Sequence, residues 1–169
     1  MLFVGLASAV AMPAQAQDAP SRDAVRALLS GIEEAPSAAE WEALGPGAVA
    51  VLAALHDDPS EAPFVRLRTL WAARFFATDE SHALLARALE REDGLALHTA
   101  IESLAHAFGA AEVSRIAPFL GHDDVVVRES AIRALDTIHV AAATSALRAR
   151  MSVEPEASLR ELLRVAVTR

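Results

Sequence analysis

The sequence predicts an all-α fold, an α-solenoid of about five stacked antiparallel helix pairs. Three observations lead there. First, the stretch Arg115 to His139 has an apolar run at Ile116, Phe119 and Leu120, then a turn Gly121-His122-Asp123-Asp124. After the turn, Val127, Ala131, Ala134, Leu135 and Ile138 recur at helical spacing. Each helix of this pair is apolar along one stripe only, so the pair cannot bury both stripes alone and must stack on a copy of itself. Second, copies are present. Leu55, Leu89, Leu120 and Met151 end successive first helices at intervals of 34, 31 and 31 residues. Acids follow at the turns (Asp57-Asp58, Asp93, Asp123-Asp124, Glu154), and second helices open with Val65-Arg66, Leu97-His98, Val127-Arg128 and Leu159-Arg160. A period near 31 built from helix pairs is a solenoid signature. Third, no segment alternates polar and apolar residues as a half-buried strand does.

In order along the chain, Ser21 can cap a helix whose stripe is Val25, Leu28, Leu29 and Ile32. Ser37 to Glu40 has the form of a capping box, with Ser37 as cap and Glu40 reaching back. It opens a short helix with Trp41 and Leu44, ended by Gly45-Pro46-Gly47. The next helix carries Val49, Leu52 and Leu55 and ends at His56-Asp57-Asp58-Pro59. Pro46 suits its first turn, where a missing N–H costs nothing. A long turn, Ser60 to Pro63, leads to a helix from Phe64 to Phe76. Thr78 or Asp79 caps a helix with Leu84, Leu85 and Leu89. Its partner runs from about Leu95 to Phe108, with Ile101, Leu104, Ala105 and Phe108 inward, and Gly109 breaks the chain. After the pair described above, a last pair runs from about Ala142 to Met151 and, beyond Pro155, carries Leu159, Leu162, Leu163 and Ala166.

The 169 residues suffice for one compact domain or a short repeat array. No Cys is present, which excludes disulfides and thiolate metal sites. Lys, Asn and Tyr are absent too, so all 15 basic residues are Arg, a bias we read as genomic GC content and not as a binding surface. The net charge of −8 is uneven: nine acids face two Arg from Gln17 to Val65, whereas fourteen acids face thirteen Arg from Arg66 onward. An acidic array without a basic face is a poor match for nucleic acid.

Leu2 to Met12 is almost wholly apolar, and Ala14-Gln15-Ala16 places small residues where a signal peptidase reads them. Residues 1–16 are therefore expected to be a signal peptide and 17–169 the solenoid domain, exported to the periplasm or secreted. The apolar run is too short to span a bilayer. No Lys or Arg precedes it, which leaves a start codon further upstream open.

The chain resembles the HEAT-like repeats, in particular the short kind of the phycobilisome lyases. Leu44-Gly45-Pro46 with Ala48-Val49 is similar to the join between two such repeats. Asp124 followed by Val127-Arg128 is similar to the family's turn and second-helix start, and Pro118 lies where HEAT repeats often carry a kinking proline. The resemblance covers about residues 20 to 169. His98 departs from it at the Arg position, as does the insertion at 60–63. It implies a curved solenoid with second helices lining the inner face, most often a binder of other proteins and in a minority of cases an enzyme or an enzyme partner. It also implies that Arg66, Arg128 and Arg160 pair with turn acids between neighbouring repeats.

Candidate chemistry is sparse. His56-Asp57-Asp58 and His122-Asp123-Asp124 occupy the same turn two repeats apart, about twice the roughly 10 Å helix-pair spacing, too far for one ion to bridge. We read Asp58 and Asp124 as caps of second helices and the two His as solvated. His98, Glu102 and His106 form an i, i+4, i+8 row on one helix. The two His are about 12 Å apart along the axis, too far to share a metal directly. Metal-binding HEAT-type hydroxylases use His-Glu dipeptides on opposing repeats, and this chain has none. No nucleophile elbow, thiol or phosphate loop is present, so no catalytic residue, metal or cofactor is expected.

The sharpest hint of function is apolar. Aligned on Val65 and Val127, the second helices place Leu67, Trp71 and Phe75 opposite Glu129, Arg133 and Thr137, with Thr99, Ser103 and Ala107 as their counterparts in the third repeat. A face that is polar in two repeats is bulky and apolar in one. Either the first repeat folds over this ridge, through Trp41, or the ridge binds a protein partner with Arg68 and Arg74 as its polar rim. The expected function is a non-catalytic binding or scaffolding module. The alternative is an enzyme or lyase-like accessory chaperone using the His98-Glu102-His106 row. The last helix has five apolar residues between Leu159 and Val167, which leaves open a longer array or a homodimer through that end.

Overall fold

The computed structural model describes residues 19–31, 36–91 and 94–168, with no β-strand among them. The expected signal peptide, the stripe residue Ile32 and the turn acid Asp93 lie outside the described residues. Ten α-helices follow one another: α1 Arg22–Ser30, α2 Ala38–Glu42, α3 Ala48–Asp57, α4 Pro63–Ala73, α5 Asp79–Arg91, α6 Gly94–Phe108, α7 Val113–Ile116, α8 Val125–Thr137, α9 Ala141–Met151 and α10 Ala157–Thr168. Two 3₁₀ segments, Gly109–Glu112 and Ala117–Gly121, flank α7.

Local chemistry sets the boundaries. The Ser21 hydroxyl accepts from the Ala24 N–H at 3.2 Å and starts α1. Both halves of the Ser37–Glu40 capping box form, so two amides that the first turn of α2 leaves unpaired are satisfied. Thr78 caps α5 by accepting from the Ser81 N–H. Gly45 and Gly109 sit at φ 73° and 56°, left-handed values that a side chain disfavours, and each lies at the end of a helical segment. Pro118, which has no N–H to give, falls where the first helix of its repeat tightens from α to 3₁₀.

The pairs are α3 with α4, α5 with α6, α7 and its 3₁₀ extension with α8, and α9 with α10. Second helices pack on one another in turn, α4 on α6, α6 on α8 and α8 on α10. Four full repeats therefore stack behind an irregular unit, in which α1 packs on α3 and α4 while α2 buries Trp41 completely. One core runs the length of the stack, from Val25 and Leu29 through Leu52, Leu70, Leu85, Ile101, Leu104, Ile132 and Leu135 to Leu163. Each such buried side chain contributes about 1.5–3 kcal/mol of transfer free energy before entropy is charged against it.

Polar clamps hold the repeats in register. Arg128 reaches across to the turn of the last repeat, where its Nε and Nη2 donate to Glu154 at 3.1 and 3.0 Å, while its Nη1 donates to the His122 and Asp123 carbonyls of its own turn. Among the described residues Arg66 and Arg160 brace their own turns, through the carbonyls of His56 and of Glu154 and Pro155, and the expected acid pairing between repeats is seen at Arg128. Arg22 and Arg26 of α1 converge on Glu61, which is buried in the inserted turn.

Two expectations are corrected here. Asp124 does cap α8, accepting from the Val126 N–H, but Asp58 does not cap α4. Its carboxylate accepts from the Ser60 amide and hydroxyl and from Arg22, because the insertion moves the start of α4 to Pro63. Nor is His56 solvated. It is buried, and its Nδ1 donates to the Arg66 carbonyl at 3.1 Å, reciprocating the bond from Arg66 to its own carbonyl.

Candidate functional site

The outward side of the second-helix layer brings together the two features singled out in the sequence. Leu67 and Trp71 on α4 and Phe75 in the turn just after it are half-buried, with Trp71 and Phe75 in edge contact at a centroid distance of 5.0 Å. Trp41 lies wholly in the core. Leu67 and Trp71, with Arg68 and Thr99, line an open depression of 350 Å³.

The row on α6 abuts this ridge. Phe75 meets His106 edge-on at 6.3 Å. The aligned counterparts Thr99 and Ser103 do lie against the ridge but are buried there, and the exposed polar groups of α6 are His98, Glu102 and His106. The Thr99 hydroxyl turns back to the Leu95 carbonyl, and Ser103 receives Arg74. Small polar residues that satisfy themselves locally can be buried at low cost, which periodicity does not reveal.

The two rim arginines differ. Arg68 Nη1 donates to the carbonyls of Leu29 and Gly31 at 2.7 and 2.5 Å, so it closes the C-terminal end of α1. Arg74 lies over the Trp71 ring at 5.7 Å, donates from Nη2 to the Ser103 hydroxyl at 3.3 Å, and has a buried Nε without a partner. Burial pushes its pKa down, and Glu102 acts in the opposite direction. Beyond it, Arg74, Glu102, His106, Arg133 and Thr137 surround a second depression of 330 Å³ between α4, α6 and α8.

The His/Glu row is held structurally at one end. His98 shares a short hydrogen bond with the Ser130 hydroxyl of α8, and its Nε2 lies 3.6 Å from Glu102. His98 thus ties neighbouring second helices where other repeats use Arg. Among the described residues no group of three His, Cys, Asp or Glu could hold a metal ion. Two buried acids went unnoticed in the sequence: Glu61, in the insertion, and Glu112, which accepts from His82 and Arg115. No helix among the described residues is long and apolar enough to cross a membrane.

No family model matches the chain, and no curated relative matches it. Among solved structures, human deoxyhypusine hydroxylase in complex with glycerol is similar, with a TM-score of 0.59 and 29% sequence identity over 71% of this chain. The match covers 42% of that chain, so this protein spans less than half the length of its structural neighbour. The fold is a HEAT-like α-solenoid. The donor set does not fit a hydroxylase metal centre of the His-Glu kind, since no His-Glu dipeptide occurs in the sequence.

Proposed function

We propose that this protein is a non-catalytic binding module, exported after removal of residues 1–16, that holds a protein partner on the outward face of α4 and α6. One observation carries the reading. Leu67, Trp71 and Phe75 form a half-buried ridge beside an open, carbon-lined depression, where other repeats are polar. An aromatic anchor in a concave apolar setting, rimmed by arginine, is the composition of a binding hot spot. Arg68 also ties α4 to α1, which keeps the ridge rigid and lowers the entropy lost on binding.

The likeness to an enzyme favours a second reading, in which the His98-Glu102-His106 row works chemically. Against it, His98 is engaged by Ser130 and Glu102. Crosslinking capture from envelope extracts separates the two, comparing the wild type with Trp71→Ser shown to be folded by circular dichroism. We expect a defined partner with the wild type and its loss with the variant. Capture of the same partner by both moves the binding face elsewhere, and capture of nothing by either favours the enzyme.

A further inference from the structure

We propose that the depression between α4, α6 and α8 receives a carboxylate of the bound partner, carried one helical turn or two strand residues from the apolar side chain that sits on Trp71. This rests on the protein-binding reading and specifies the chemistry of the partner: an acidic residue next to a large apolar one.

The argument begins with Arg74. Five arginines among the described residues are not exposed: Arg66, Arg68, Arg74, Arg128 and Arg150. Arg66 and Arg68 donate to backbone carbonyls, and Arg128 and Arg150 to Glu154. Arg74 has neither kind of partner. Among the described residues its hydrogen bond is a long one to a neutral hydroxyl, Nη1 makes none, and Nε is buried unpaired. A guanidinium has five N–H donors and cannot shed its charge. Glu102 acts on Arg74 only at a distance, so its partial burial with donors unfilled costs free energy that a hydrogen-bonded ligand carboxylate would return.

The surroundings suit the same ligand. Glu102 is the nearest acid in the depression, and it is drawn to His98. Across the gap, Nε and Nη2 of Arg133 both go to one oxygen of Glu129, and among the described residues its Nη1 has no partner. His106 supplies a further donor on the exposed side. The two depressions adjoin: Trp71 in the last turn of α4 lines the first and Arg74, its C-cap, the second, three residues on and about 5 Å along the helix axis. That separation matches side chains at i and i+3 or i+4 of a helix, or at i and i+2 of a strand. In a chain with net charge −8, a cation that faces Glu102 without a hydrogen-bonded carboxylate, beside the apolar ridge, is the local feature that gives an acidic partner its register.

The test uses the purified protein and four labelled helical peptides that differ at two positions one turn apart: Leu with Glu, Leu with Gln, Ala with Glu, and Leu with Lys. Binding is read by fluorescence anisotropy. We expect the Leu–Glu peptide to bind about tenfold more tightly than Leu–Gln, as one charge-assisted hydrogen-bonded pair allows. The gap should close in Arg74→Gln and shrink in about 0.5 M salt, where screening is short-ranged. If Arg74→Gln does not fold, Arg133→Gln serves, and a narrowed gap is again expected. Equal binding of Leu–Glu and Leu–Gln to the wild type overturns the carboxylate site while leaving the apolar ridge standing. A gap that survives the arginine substitution overturns it as well. Absence of binding by every peptide near millimolar concentration also overturns it, and the scaffold reading is then judged by the capture experiment.

Discussion

Glu154 is a buried carboxylate that three donors compete to satisfy. Arg128 gives it two hydrogen bonds, Arg150 approaches to 2.7 Å, and the Glu156 N–H donates at 3.0 Å. Burial alone would raise its pKa, but these partners outweigh burial and hold it at about 2, against an ordinary 4.5. Because the folded pKa lies below the unfolded one, the stabilisation is fully present above pH 4.5 and is lost as pH falls toward 2. A shift of that size corresponds to about 3 kcal/mol. Glu154→Gln should therefore lose about 3 kcal/mol at neutral pH in urea unfolding, leaving Arg128 as an unpaired buried cation. Its stability should also fall less than that of the wild type between pH 4.5 and 2. Parallel acid curves for the two proteins would contradict this role. The turn acids were legible in the sequence, but their partners were not. Asp58 and Asp124 look alike there, yet Asp124 is a cap and Asp58 binds Arg22 and Ser60, because the insertion at 60–63 shifts the start of α4.

At the level of elements, boundaries were legible where they depend on neighbours in sequence. Ser21, Ser37 with Glu40, and Gly109 act where reading residue by residue places them. Ser37→Ala should destabilise the protein by about 1 kcal/mol, seen as a lower urea midpoint with unchanged slope, since it removes one cap without touching the core. A changed slope would mean that the irregular first unit unfolds separately. The register placed Thr99 and Ser103 beside the ridge but did not reveal that they are buried. His98 replaces the arginine of other repeats and bonds sideways to Ser130, and α6 presents His98, Glu102 and His106 instead of Thr99 and Ser103. The partners that bury Thr99 and Ser103 or engage His98 come partly from neighbouring repeats, and no single repeat contains that information.

Across the whole molecule, periodicity fixed the solenoid and the order of its helices, and the departures from periodicity mark its special parts. The 34-residue interval holds the insertion that buries Glu61 and recruits Arg22 and Arg26, locking α1 onto the stack. The same repeat carries the ridge, and packing of α4 on α6 sets Phe75 beside His106, and Leu67 and Trp71 beside Thr99. Two features that look unrelated along the chain thus become one surface. The most direct test of that surface is site-specific photocrosslinking, with a photoreactive phenylalanine analogue placed at position 75 on the ridge or at position 162 on α10. The account predicts one defined partner adduct from position 75 and none from position 162. Adducts from position 162 alone, or the same adduct from both, would contradict it.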